Sequence, residues 1–467
     1  MKSLHLCNLA NVAYGYAKIL RAGGHEADVR CHDIRHLMSQ PEWDDLLLDS
    51  ADFPDEDDFF TNTAALGDYT RPEWFRAERL VAMHPWLLRL LRRTLPRIVR
   101  ARLAPWYHTF QQWKARARRG MRRDDGDRPS QSADAHDRCR RLADRSRRDG
   151  PEWALRDGAV SAFLTHADWV ARHAEGCHVI FAYVLAPIYA MIYHRLPYVS
   201  VEIGTMRDLP FDGTEVGRLL ALAYRQSDHV LITNPDVRSA AERLGLERYS
   251  FCPHPLDEDV YRPAEGETDL RRDLLRHYGA ETILFAPARQ NWAIKGNDKV
   301  FRAFAQLLAS RPKTVLIVPG WGQEIERSRR LCRTLGIDDR VDWIRPMSEP
   351  WLVRYYQASD LVLDQFQLGV FGLTTPKAMA CGKPVLTSYD HAVNAWAFPE
   401  PPPVLACGTE KEIYEAMDAA LASPQRRAEL ADASRRWVVQ YHAKDRIRRV
   451  LLGLAEQAIR RRKDAPE

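Results

Sequence analysis

Short apolar runs alternate with segments of helical period along most of the chain. Residues 3–7 read as a strand. Residues 11–22 read as a helix ended by Gly23 and Gly24, and 26–30 as the next strand. After a long polar stretch the pattern resumes with strands at 178–183, 197–201 and 229–233. Helices fall between and after them at 216–225 and 237–244, with another opened by Pro187. Continuous apolar runs of this length suit parallel strands covered on both faces. Prolines then gather at Pro253, Pro255 and Pro263 and the alternation pauses, which marks a connector. A second series follows, with strands at 282–286, 314–318, 341–344, 361–363, 384–387 and 404–406. Its helices fall at 298–309, 325–335, 351–358 and 376–380, and 410–462 is mostly helical.

Two β-α-β series joined by a connector predict an α/β protein of two Rossmann-like domains facing a cleft. The expected domains are 1–257, with a helical or unstructured insertion at about 40–155, and 258–440, followed by a last helix at 441–467. A length of 467 residues fits two domains, and 45% hydrophobic residues exclude global disorder.

The eight cysteines form no C-x-x-C pair, which argues against a zinc site and a disulfide framework and for a reducing compartment. The longest apolar run, 179–193, contains Pro187 and falls short of the roughly 20 residues that cross a bilayer. A cytoplasmic location is expected.

Charge changes the picture locally. Residues 42–58 hold nine acids and no cation, whereas 86–123 hold 12 cations and no acid. The net charge of +5 is therefore one local feature. The basic segment also carries Leu87, Leu90, Leu91, Leu95, Ile98 and Val99 at helical spacing. Two arrangements suit it equally. One is a helix lying on an anionic membrane surface, at the inner face of the membrane. The other is a helix packed on the protein, with its arginines solvated or paired to the acidic run. Nucleic acid is a poor third, since no reading module accompanies the charge. Residues 124–149 read as a polar loop followed by a solvated helix.

Candidate chemistry lies in loops after strands of the second series. Arg289 and Lys295, with Gly296 for close backbone approach, suit a pyrophosphate. In 369–385, Thr375 fits an N-cap, Pro376 the first helical turn and Gly382 the position after the helix. Gly372 lets backbone approach a ligand, and a glycine loop entering a helix suits an anion. Lys377 in that first turn opposes the helix dipole unless an anion sits there. In the first domain Glu202, Thr205 and Arg207 follow a strand. His254, between two prolines, reads as a hinge residue.

The stretch 369–385 resembles the signature of retaining nucleotide-sugar glycosyltransferases of the two-Rossmann GT-B type, family 4 kind. Arg289 with Lys295-Gly296 is similar to that family's donor-phosphate loop, 252–263 to its interdomain connector and 355–364 to the stretch before its signature. The resemblance implies transfer of a sugar from a nucleotide-diphosphate donor, with retention, with no metal and no cofactor besides the donor. It implies GT-B architecture with the last helix crossing back to the first domain. Arg289 and Lys295 would hold the diphosphate, with Glu202 a third catalytic candidate. Gly296, Gly369, Phe371, Gly372, Leu373, Thr374, Thr375, Lys377 and Asp364 would line the donor site. The acceptor would be a glycan or a lipid-linked molecule, with Glu202, Thr205 and Arg207 as candidates to contact sugar or acceptor and Lys377 expected on a donor phosphate or ribose oxygen.

Two departures stand out. The family's paired glutamates fall on Gly369 and Lys377, and Asp364 is the nearby carboxylate expected to substitute in part. Asn8-Leu9-Ala10-Asn11 replaces a glycine-rich first loop. The competing reading is a catalytically weakened glycosyltransferase-like binding or scaffold protein. A sugar-nucleotide epimerase or phosphorylase on the same fold ranks behind it.

Overall fold

The structure is a computed structural model and describes residues 1–32, 37–48, 69–78, 130–156 and 158–464. The basic segment 86–123 and most of the acidic run lie outside the described residues.

The first domain is a seven-stranded sheet: β1 (Lys2–Leu6), β2 (Glu26–His32), β3 (Phe75–Glu78), β4 (Val179–Tyr183), β5 (Tyr198–Glu202), β6 (His229–Ile232) and β7 (Tyr249–Phe251). The order is β3-β2-β1-β4-β5-β6-β7, with every pairing parallel. The second is a six-stranded sheet: β8 (Thr282–Phe285), β9 (Thr314–Pro319), β10 (Val341–Ile344), β11 (Leu361–Leu363), β12 (Val385–Thr387) and β13 (Leu405–Ala406). Its order is β10-β9-β8-β11-β12-β13, also parallel. The sheet order reverses between β1 and β4 and again between β8 and β11. Those two points leave crevices at the carboxyl ends of the strands, where ligands of open α/β sheets bind.

Alternating residues of each strand feed separate cores, because successive side chains point to opposite faces. In the first sheet Leu4, Leu6, Ile180 and Ala182 face one way, onto helices Leu164–His173, Ala186–Tyr193 and Glu215–Gln226. Val29, Phe181, Tyr183 and Val199 face the other, onto helix Val12–Ala22. The same core takes Ile447, Leu451, Leu454 and Ala455 from the last helix, Lys444–Asp464. The end of the chain thus packs on the domain where it began. In the second sheet Ile283, Phe285, Ile317 and Val362 oppose Leu284, Leu316, Leu361 and Leu363 across the same strands.

The region expected as an insertion is not one unit. Phe75–Glu78 adds an edge strand to β2, and helix Ser130–Arg148 is not merely solvated. Its Cys139, Leu142 and Ala143 are buried in the first-domain core. Helix Pro41–Asp45 touches the second domain, where Leu48 and Ser348 bond to each other: Leu48 N donates to Ser348 Oγ at 3.0 Å, and Ser348 Oγ to Leu48 O at 3.3 Å. The described part of the acidic run takes cations other than the basic segment. Glu42 pairs with Arg71 at 2.8 Å and Asp45 with Lys18 at 2.9 Å.

Candidate functional site

The crevice between β8 and β11 gathers most of the predicted site. The loop after β8 carries Arg289 and the turn Trp292–Lys295, which Asn291 caps through Ile294 N. Gly296 follows at φ 67°, and a Cβ there would crowd Phe366 at 3.2 Å. That contact brings the loop against the segment after β11. Phe366 N donates to Lys295 O at 2.9 Å, and Lys295 Nζ donates to Gln365 Oε1 at 2.6 Å. The Gln365 amide nitrogen in turn donates to Val370 O. One lysine therefore joins the phosphate-type loop to the signature loop. Burial lowers the Lys295 pKa, Asp364 opposes that shift, and Arg289 and Arg207 add to it. Arg289 itself is exposed at the rim.

A third loop braces the first. Gly322, after β9, lies so close to Gln290 that a Cβ would meet its backbone oxygen at 2.4 Å. Trp292 N donates to Glu324 Oε2 at 2.6 Å, and Trp292 Nε1 to Ser328 Oγ at 2.9 Å.

The signature loop departs from its expected capping. Helix Thr374–Ala380 begins after Leu373, so Thr375 lies inside it. The Thr375 hydroxyl donates to Asp364 Oδ2 at 2.8 Å and caps no backbone group. Gly382 does follow the helix in the left-handed region, at φ 67°. Gly369 lies at φ 66°, and its carbonyl accepts from Asn394 Nδ2 at 2.9 Å. Val370 and Phe371 are buried, which leaves Gly372, Leu373 and Thr374 as the accessible lip. Asp364 is 4% exposed, and burial raises its pKa against the pull of Lys295 and Thr375.

Two of the predicted residues have partners within the chain. Lys377 is nearly buried, and its ammonium pairs with Glu349 Oε1 at 2.7 Å over the Tyr261 ring. The neutralising anion is thus a carboxylate of the chain itself. Glu202 is 0% exposed. Its Oε1 accepts from the backbone N–H of Gly204 and of Met206, so it holds its own loop and does not present a carboxylate to the cleft. His254 sits in the connector with its pKa pushed down to about 4, first by burial and then by Lys377 and Arg207.

The first domain's crevice holds unusual backbone. Cys7, Ala10 and Asn11 after β1, and Val184 after β4, all have positive φ. Side chains hold the loop in place of glycines: Asn8 Nδ2 donates to Asn11 Oδ1 at 2.8 Å, and Asn11 Nδ2 to Asp44 Oδ1 at 2.9 Å. Strained backbone of this kind gathers at functional sites.

Sequence reasoning missed Glu349, Asp236, Asn394 and Trp396. They pair with residues distant in the chain, and no local pattern marks them. Among the described residues no group of three or more His, Cys, Asp or Glu is placed to hold a metal ion. Nor is any described helix long and apolar enough to cross a membrane.

Residues 267–437 match the family described as glycosyl transferases group 1. The second domain belongs to the group 1 glycosyl transferases. The whole fold is GT-B. Sucrose-phosphate synthase from Thermosynechococcus elongatus aligns at TM-score 0.60 and 15% identity, over 98% of this chain and 99% of that one. Anabaena HepE, solved in complex with UDP and glucose, aligns at TM-score 0.61 and 14% identity, over 97% and 98%. A D-inositol 3-phosphate glycosyltransferase of Acidothermus cellulolyticus is 27% identical over 288 residues, 58% of this chain and 62% of that protein. A second from Catenulispora acidiphila is 31% identical over 34% and 39%. The match therefore spans about three fifths of the first relative's length and two fifths of the second's. In this domain Arg289 and Lys295 share the loop after β8, and Lys295 closes that loop against Gln365 and Phe366.

Proposed function

We propose that the chain transfers a sugar from a nucleotide-diphosphate donor to an acceptor hydroxyl, with retention and without a metal ion. The 2.6 Å bond from Lys295 Nζ to Gln365 Oε1 carries this reading, because it ties a cationic loop to the signature loop at the sheet's switch point. An anion bound there would meet Lys295, Arg289 and the accessible backbone around Gly372. As the bond from sugar to phosphate breaks, charge grows on the departing diphosphate. Fixed cations facing that charge are often the largest single catalytic contribution. Neighbours of the same fold support a uridine nucleotide as the first to try, since HepE is described with UDP.

The acceptor in this reading is a glycan or a lipid-linked molecule approaching the first domain's crevice. Leu9, Leu47, Ile294 and Leu368 support an apolar portion on it: all are exposed, and all lie in segments at or facing the carboxyl ends of the strands. An anionic membrane surface would supply such an acceptor through residues 86–123, and retention of the protein on anionic liposomes tests that part.

Calorimetry with UDP, GDP and ADP tests the donor site. Binding of one nucleotide, lost in Arg289→Ala or Lys295→Ala, is the expected result. Binding of none would favour the scaffold reading.

A further inference from the structure

Resting on the donor-transfer reading, we infer that Arg207 of the first domain is a third cation on the donor's β-phosphate, supplied across the cleft. Arg207 ends the turn Thr205–Arg207, which follows β5 at the carboxyl edge of its sheet. The turn is held from below. Buried Glu202 takes two of its backbone N–H groups, and Thr205 Oγ1 lies 2.9 Å from the Tyr224 hydroxyl. The guanidinium forks onto Asp236, with Nε to Oδ2 at 2.5 Å and Nη2 to Oδ1 at 2.8 Å. That arrangement uses two of its five N–H donors and leaves the Nη1 pair and one on Nη2 for another anion. The side chain is 30% exposed, so a ligand can reach it.

The second domain fixes where this guanidinium stands. Asp236 follows Pro235, whose carbonyl accepts from Trp396 Nε1 at 2.9 Å. Asn394, in the same short segment as Trp396, holds the Gly369 carbonyl at 2.9 Å. Three links thus run from Arg207 through Asp236 and Trp396 to the signature loop. The charge of Arg207 is felt at Lys295 in the second domain and at His254 in the connector. An ion pair serving stability alone would need none of these links. A cation anchored by Asp236 and tied through it to the second domain, with donors to spare, suits a phosphate whose other side is met by Arg289 and Lys295.

The test compares affinities of nucleoside diphosphates and monophosphates for the full chain, using UDP, GDP and ADP with their monophosphates. In wild type the diphosphate binds more tightly. Arg207→Gln is expected to shrink that diphosphate-to-monophosphate ratio about tenfold, as for loss of one charged hydrogen bond. Arg207→Lys is expected to restore part of it, since charge returns without the fork. A merely structural role would weaken both nucleotides equally and leave the ratio in place. A ratio within about twofold of wild type in Arg207→Gln, while Lys295→Ala still lowers it, overturns this inference alone. Wild type that binds no nucleotide, or binds both forms equally, overturns the donor-transfer reading together with it.

Discussion

The Lys377 ammonium lies 2.7 Å from Glu349 Oε1, and the two side chains are only 10% and 18% exposed. The other Glu349 oxygen takes the Tyr261 hydroxyl. Because the helix starts at Thr374, Lys377 lies in its last turn and not its first, so the carboxylate answers a nearly buried ammonium and not an unfavourable helix dipole. Removing one partner would strand the other away from water. Lys377→Met is therefore expected to cost about 3 kcal/mol in a denaturant titration. Adding Glu349→Gln should recover at least half of that loss. Nucleotide affinity should change by less than about twofold. A larger loss of affinity, with stability unchanged, would place Lys377 on the ligand.

Asp44 of the first domain stands beside this pair, and burial followed by the Glu349 charge pushes its pKa up to about 7. The Asn11 amide and the Lys377 and Lys18 charges pull the other way. An acid whose folded pKa is raised binds more protons folded than unfolded. Stability therefore falls as pH rises from the ordinary Asp range of about 4 to about 7, and the penalty stays constant above. Asp44→Asn removes that slope. The difference in urea midpoint between variant and wild type should favour the variant more at pH 8 than at pH 4. An identical difference at both pH values would show that Asp44 titrates normally.

The sheets were readable because each strand buries both faces and so appears as a continuous apolar run, as at 283–285 and 361–363. Phe75–Glu78 escaped because it is an edge strand with Arg76 and Glu78 in its four residues. The grouping of Lys295 with Gly296 was readable because both sit in one loop. The site was opaque where a side chain answers to a distant partner. Glu349 and Lys377 are separated by a helix, a strand and the signature loop, so the pairing that decides the role of Lys377 leaves no trace in local spacing. Glu202 is opaque for a related reason. A carboxylate at the end of a strand looks the same in sequence whether it faces the cleft or its own backbone.

Gly322 acts on the donor loop from outside it. Its φ is +124°, and a Cβ would come within 2.6 Å of Gln290 N. Backbone cannot yield cheaply at such a distance, so Gly322→Ala should displace the loop that carries Arg289 and Lys295. Nucleotide affinity is expected to fall about tenfold or more, though Gly322 itself bears no side chain to bind with. Gly336→Ala is the control. Its φ is +67° with open space around it, so only backbone strain of about 1 kcal/mol is added, far from the loop. Equal nucleotide affinities in the two variants would count against the bracing role.

Glu202 separates a loop-holding carboxylate from a catalytic one. Its Oε1 accepts from Gly204 and Met206, while Oε2 is buried with no hydrogen-bond partner among the described residues. Burial raises its pKa, opposed by those backbone N–H groups and by Arg207. Gln keeps the accepting oxygen and removes the charge. Because the folded pKa is raised, wild-type stability falls as pH rises through the range between unfolded and folded values, and Glu202→Gln should lose that dependence. The variant should therefore gain on wild type between acid and neutral pH. Transfer should continue at a rate within about threefold, because nothing that touches substrate has been removed. A group that moved a proton or attacked the sugar would behave otherwise, with a rate loss of about 10² to 10⁴ and a changed pH–rate profile. That result would return Glu202 to the reaction and require its loop to turn over on binding donor.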